Sequence, residues 1–290
     1  MLAELLELEP AGVEEVEDGA EVIEYAVYGA PGELPSLPDL NAVVGDALVE
    51  ISTTEISDDW GERWKRFHRP VLIEAPGSPA GPQRTDAEDG RRIPALHVRP
   101  PWEAPSARRD EGVEEIVIDP GQAFGTGGHA STRLCLELML ALAELEPPAG
   151  PLLDVGTGSG VLAIAASRLG FAPVLGLDHE RESVEAAREN ARANGVRIEV
   201  RRFDLRTDAL PWLGNEEAPP RSRVVVANLL RPLLLELSRT MPAAPSHLLA
   251  GGLLSEEVGE ITHAFADRFG LRAREERHSG EWAAVWLTAS

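Results

Sequence analysis

Leu152-Leu153-Asp154-Val155-Gly156-Thr157-Gly158-Ser159-Gly160-Val161 reads as a buried strand that passes through a glycine-rich turn into the helix begun by Val161. Glycines in such a turn let the backbone reverse tightly and let a ligand approach the main chain with no Cβ in the way. Outward from this segment the pattern is regular. Apolar runs suited to buried strands fall at 152–155, 174–178, 197–202, 223–227 and 246–251, with amphipathic helical stretches at 161–169, 180–193, 231–240 and 255–268. Alternation of this kind is the signature of a parallel sheet covered by helices on both faces. The last two runs, 271–277 and 283–288, are separated by His278-Ser279-Gly280-Glu281. That is too short for a parallel crossover, so an antiparallel hairpin is expected there. The expected fold class is α/β, a Rossmann-like seven-stranded sheet closed by a C-terminal antiparallel hairpin.

The spacing in the loop separates its possible ligands. It is Asp-x-Gly-x-Gly-x-Gly, whereas a dinucleotide fingerprint is Gly-x-Gly-x-x-Gly. Asp154 at the strand end would repel a pyrophosphate. With Gly156 and Gly158 leaving the backbone open, it suits the cationic methionyl end of S-adenosylmethionine. Asp178 ends the next strand, about 20 residues on, where an acid accepts hydrogen bonds from ribose hydroxyls. The alternative is a strand–helix turn of another α/β protein, with Asp178 capping a helix. Asp204, after the third strand, is placed to accept from an adenine amino group or is an ordinary loop aspartate.

Two further segments carry chemistry. Asp119-Pro-Gly-Gln-Ala-Phe-Gly-Thr-Gly-Gly-His129-Ala-Ser-Thr132 has four glycines among residues 121–128 and leads into a helix. Such a loop can fold over a ligand and exclude water, or serve as a capped helix start with Ser131 or Thr132 as the cap. His129 fits a structural hydrogen bond or a chemical role. The strand at 223–227 ends in Asn228-Leu229-Leu230-Arg231-Pro232, where the ends of parallel strands face a ligand crevice. Asn228 could accept a hydrogen bond from a substrate amine through its side-chain carbonyl, or merely occupy a β–α turn.

Composition narrows the partners. Forty-nine acidic residues stand against 27 basic ones, a net charge of −22. This weighs against nucleic acid and anionic membranes, which need a basic face, and is compatible with a basic protein substrate. No apolar run approaches a bilayer span, the N-terminus lacks the charge pattern of a secretory signal, and Cys135 is the only cysteine; a cytoplasmic monomer is expected. Clustered Cys or His pairs for a metal are absent. Residues 1–60 read as a small α+β domain, with strands at 22–27 and 48–51 and a helix over 37–44. Residues 61–112, rich in Pro, Gly and charge, read as linker around one short strand at 93–98, and residues 113–290 as the cofactor-binding domain.

Taken together, Asp119–His129, Asp154–Gly160, Ala227-Asn-Leu-Leu, Ser279-Gly-Glu-Trp282, Trp60–Pro70 and Leu96–Trp102 resemble the ribosomal protein L11 methyltransferases (PrmA). The resemblance implies a class I methyltransferase domain preceded by a small substrate-recognition domain, and methyl transfer from S-adenosylmethionine to lysine side chains and the N-terminal amine of that ribosomal protein. Carried onto this chain, it assigns Phe124, Gly125, Thr126, Gly127, Asp154, Gly156 and Asp178 to the cofactor and Asn228 to the substrate amine. A related group methylates a subunit of an electron-transfer flavoprotein, which leaves a second protein target open. Nucleic-acid or small-molecule methyl transfer, NAD-dependent oxidation and a non-catalytic binding module are the other readings. Here Gly128 and Ala130 flank the histidine where the family has threonine and proline. The N-terminal domain reads as shortened, starting inside its first helix.

Overall fold

The computed structural model describes residues 12–17, 23–28, 40–44, 47–51, 68–74, 93–108, 112–120, 127–148, 150–211 and 223–289. The chain divides into two compact units, Met1–His68 and Arg69–Ser290.

In the first unit, β1 (Gly12–Glu17) pairs antiparallel with β2 (Ile23–Tyr28), and β3 (Leu40–Val44) with β4 (Ala47–Ile51). The helix expected over 37–44 is corrected at 40–44, which forms β3. The physical reason lies in register: Val44 opposes Ala47, leaving Gly45-Asp46 between the strands. A two-residue Gly-Asp link between short apolar runs is a hairpin signal. The helix expected at the chain's start lies outside the described residues.

The second unit begins earlier than the sequence suggests. β5 (Val71–Ile73) pairs antiparallel with β6 (Ala95–Arg99), and β6 pairs parallel with β7 (Val113–Val117). The segment 61–112, expected as linker around one strand at 93–98, contributes that strand as β6 and adds β5 to a sheet shared with β7. Glu115 of β7 anchors this sheet. Its buried carboxylate accepts from Arg99 Nε at 2.9 Å and Ser106 N at 2.8 Å, and lies 3.1 Å from His97 Nδ1. Burial alone would raise its pKa, but these partners bring it below the ordinary value.

The seven-stranded sheet has the order β10-β9-β8-β11-β12-β14-β13. Strands β8 (Leu152–Val155), β9 (Val174–Asp178), β10 (Glu199–Arg202), β11 (Val224–Asn228) and β12 (His247–Leu254) are parallel. β13 (Arg272–Ser279) and β14 (Trp282–Thr288) form the expected hairpin, and β14 lies antiparallel to β12. Among the described residues five α-helices accompany it: α1 (Ala130–Leu145), α2 (Val161–Leu169), α3 (Arg181–Ala193), α4 (Arg231–Thr240) and α5 (Val258–Phe269).

Side-chain alternation assigns the faces. Leu153, Val155, Leu175, Leu177, Val225, Ala227, Leu248 and Ala250 pack with Leu234 and Leu237 of α4 and Ile261 and Phe265 of α5 in one core. The intervening residues, among them Asp154, Asn228 and Gly251, take the opposite face, where α1 packs on β11, β12, β13 and β14. Asp154 is the polar exception in a strand buried on both faces. Among the described residues, no helix is long and apolar enough to cross a membrane.

Candidate cofactor and substrate site

The strand order reverses at β8: the chain moves outward to β9 and β10, then crosses to β11 on the other side. Ligands of open α/β sheets bind in the crevice beyond the strand ends at such a switch point. Four sequence-singled residues gather there. Asp154 lies in β8, Asp178 ends β9, Asp204 follows β10 and Asn228 ends β11.

The loop after β8 is held from below. Gly156 N and Thr157 N both donate to Leu177 O, at 2.8 and 2.9 Å, and Gly160 N donates to Thr157 O at 2.8 Å. Gly160 has φ +85°, and a Cβ there would stand 3.0 Å from that of Ala187, so glycine permits α2 to approach α3. A Cβ on Gly156 would lie 2.3 Å from Leu229 Cδ2; the leucine after Asn228 therefore covers this loop.

Asp154 is 0% exposed. Its Oδ2 accepts from Thr157 Oγ1 at 2.7 Å and from Ala163 N at 3.1 Å, which ties the loop to the first turn of α2. Its Oδ1 is buried with no hydrogen-bond partner among the described residues. Burial pushes its pKa up to about 7, against the lowering effect of those two donors. Asp178 accepts from Gly158 N at 2.9 Å through Oδ2 and from Glu180 N at 3.1 Å through Oδ1. A carboxylate has about four acceptor positions, so each oxygen keeps capacity for another donor. Burial raises its pKa, offset in part by these two backbone bonds. Asp204 is half-buried; its Oδ1 accepts from Arg206 N at 2.9 Å.

Asn228 donates from Nδ2 to Thr132 Oγ1 at 3.2 Å. Its Oδ1 is buried and has no partner among the described residues. Leaving such an acceptor unsatisfied costs about 1–3 kcal/mol.

Phe124, Gly125 and Thr126 lie outside the described residues, but both ends of their loop are seen. Gly127, at φ +87°, packs so tightly on β6 that a Cβ would come within 2.6 Å of Val98 Cγ1. His129 is the N-cap of α1, with Nδ1 accepting from Ser131 N at 3.3 Å and 2.8 Å from Ser131 Oγ. Burial, aided by the charge of Arg133, lowers its pKa to about 4, so the ring is neutral near pH 7. Its ring meets Trp282 edge-on at 4.7 Å, and Arg133 donates to Ser279 Oγ at 2.6 Å. The Ser279–Trp282 motif thus braces the start of α1.

Sequence reasoning missed Asn190 in α3 and Asn194, which caps its C-terminus. Asn190 accepts from Asp119 N at 2.9 Å and donates to Asp119 O and Ser159 O at 3.2 and 2.9 Å, joining both glycine-rich segments. Asn194 makes the same paired contact to Val117, at 2.8 and 2.6 Å. The available signal was two amides four residues apart in one amphipathic helix and its cap.

The family model of the ribosomal protein L11 methyltransferases (PrmA) matches residues 90–289. The chain belongs to this family. The family's ribosomal protein L11 methyltransferase from Syntrophotalea carbinolica is 39% identical over 250 residues, covering 82% of this chain and 70% of that protein. The relative from Trichlorobacter lovleyi is 34% identical over 266 residues, covering 88% and 72%. Among solved structures, the ribosomal protein L11 methylase of Lactobacillus delbrueckii subsp. bulgaricus is 29% identical with a TM-score of 0.55, covering 69% of this chain and 96% of that one. As a PrmA-family member the chain is a methyltransferase dependent on S-adenosylmethionine. The site fits that donor: Asp178 keeps free acceptor capacity at the crevice, the glycine loop follows β8, and the orphaned Asp154 Oδ1 adds unmatched acceptor character beneath it.

Proposed function

We propose that this chain methylates lysine side-chain amines and the N-terminal amine of ribosomal protein L11, as a cytoplasmic monomer without direct nucleic-acid contact. The observation that carries this reading is the unsatisfied Oδ1 of Asn228 at the end of β11, beside the glycine loop. S-adenosylmethionine supplies a methyl group already activated on a sulfonium, so the protein's task is to orient an uncharged amine. Asn228 Oδ1 accepts an amine N–H and thereby aims the nitrogen lone pair. Asp178 receives the ribose hydroxyls and Asp204 the adenine amino group. Phe124, Gly125, Thr126 and Gly127 close over the cofactor, while Gly156 and Gly158 leave the main chain open to it. Asp154 acts from beneath, holding the loop and biasing it toward a cationic ligand. The net charge of −22 favours a basic protein substrate.

The test is transfer of radiolabel from the cofactor into purified L11. Asn228→Ala is expected to lower kcat about 10²-fold with cofactor affinity nearly unchanged. Asp178→Ala is expected to weaken cofactor binding by roughly 10- to 100-fold, the loss of one or two hydrogen bonds to a charged acceptor. No label in L11, or equal loss of cofactor binding in both variants, would sink the assignment.

A further inference from the structure

The Asn228 amide presents two hydrogen-bonding ends, and the structure gives a partner to one. Nδ2 donates to Thr132 Oγ1, while Oδ1 stays buried without a donor. Thr132 stands in the first turn of α1, 96 residues earlier in the chain, and is 1% exposed. We propose that Thr132 is a positioning residue: its hydroxyl oxygen holds the nitrogen end of the Asn228 amide, so that the carbonyl end remains the acceptor for the substrate amine. This rests on the role proposed above for Asn228.

An asparagine amide turns about its last bond with little change of shape, because that torsion is broad and roughly two-fold. In the turned state an N–H would face the incoming amine, donor against donor, and the lone pair would not be aimed. In the structure the Thr132 hydroxyl oxygen accepts the amide N–H, and this pairing leaves the carbonyl end of Asn228 unengaged.

The surroundings hold both partners. The turn carrying Thr132 is capped by His129, which meets Trp282, and is tied through Arg133 to Ser279. Across the amide lies Gly251, the strand partner of Asn228. A Cβ there would stand 2.3 Å from Cys135 Sγ and 3.2 Å from Asn228 Oδ1. The amide is therefore enclosed between α1 and β12, and Thr132 is the hydrogen-bond partner that the described residues give its side chain.

The experiment is a double-mutant cycle on methyl transfer into L11, with cofactor affinity measured separately. Thr132→Val is expected to lower kcat about tenfold while the cofactor Kd and the KM for L11 stay within about twofold. Thr132→Ser, which keeps the acceptor, should restore most of the rate. In an Asn228→Ala background, Thr132→Val should cause no further loss, because the group it positions is gone. Multiplying losses, failure of serine to rescue, or a cofactor Kd that rises in step with the fall in kcat would overturn the inference. Thr132→Ala gives the same readout if valine disturbs packing. An Asn228→Ala enzyme at full speed would instead overturn the reading of Asn228, a result distinct from a slow Asn228→Ala with an unaffected Thr132→Val.

Discussion

The two glycine-rich segments of the catalytic unit are held in different proportions by near and distant residues. The loop at 156–160 is tied mostly within the β8–α2–β9 unit, by Leu177 O, Asp178, Thr157 and the Asp154 carboxylate beneath it, with Asn190 on Ser159 O as a more distant tie. The segment that runs from Asp119 to the start of α1 is held at its described ends by residues far away in sequence: Asn190 on Asp119, Val98 against Gly127, Trp282 against His129 and Ser279 on Arg133. A locally tied loop is specified by its own motif. A remotely tied one needs the rest of the fold, and its geometry should be lost first when distant contacts are cut.

Asn190→Leu puts the largest strain on this contrast. It removes three hydrogen bonds, one buried and two part-buried, from Asp119 N, Asp119 O and Ser159 O, an expected loss of about 3–5 kcal/mol in urea unfolding. Cofactor affinity should fall with it. A variant as stable as the parent would show that the segment holds itself.

The second prediction uses proton linkage, in which the two regions carry opposite signs. The folded pKa of His129, about 4, lies below its ordinary 6.5. Its contribution to stability is complete above pH 6.5 and is lost as pH falls toward 4. The folded pKa of Asp154, about 7, lies above its ordinary 3.8. Its burial destabilises increasingly as pH rises from 4 to 7. Each slope is on the order of 3–4 kcal/mol across its window, and in the parent they oppose each other. Relative to the parent, stability of His129→Gln should decline as pH rises through this range, and that of Asp154→Asn should increase. Unfolding measured at several pH values between 4 and 7 checks both signs; parallel curves would remove the assigned environments.

The smallest effect tests the local loop. Thr157→Val removes one hydrogen bond to Asp154 Oδ2 while Ala163 N remains. The expected cost is about 1–2 kcal/mol, with the Asp154 pKa moving further up by NMR titration. A downward shift would contradict the donor role of Thr157.

Legibility in the sequence follows the same division. β8, β9, α2 and α4 are readable to within a residue, because a buried parallel strand is a continuous apolar run and each helix carries its own stop, such as Gly170 in the left-handed conformation after α2. Asp178 and Asn228 stand out because strand ends at a switch point are few. The support around them is not readable. Asn190 looks like any polar residue on an amphipathic helix until α3 packs, and Thr132 gains its partner only across 96 residues. β5 is hidden beside a proline, whereas β6 falls within two residues of the strand expected at 93–98, and Leu40–Val44 is an apolar run too short to reveal its period.

The brace between α1 and the β13–β14 hairpin also places the site in time. Arg133 and the Ser279 hydroxyl that receives it are 146 residues apart, and at translation rates of about 5–20 residues per second that separation is roughly 7–30 s. Through that interval the start of α1 is already made while the tryptophan and serine that brace it are not. Since β14 lies between β12 and β13, the sheet beneath α1 also stays incomplete. The nascent chain therefore carries an apolar helix face in need of shelter, and the start of α1 is braced only as the β13–β14 hairpin folds back.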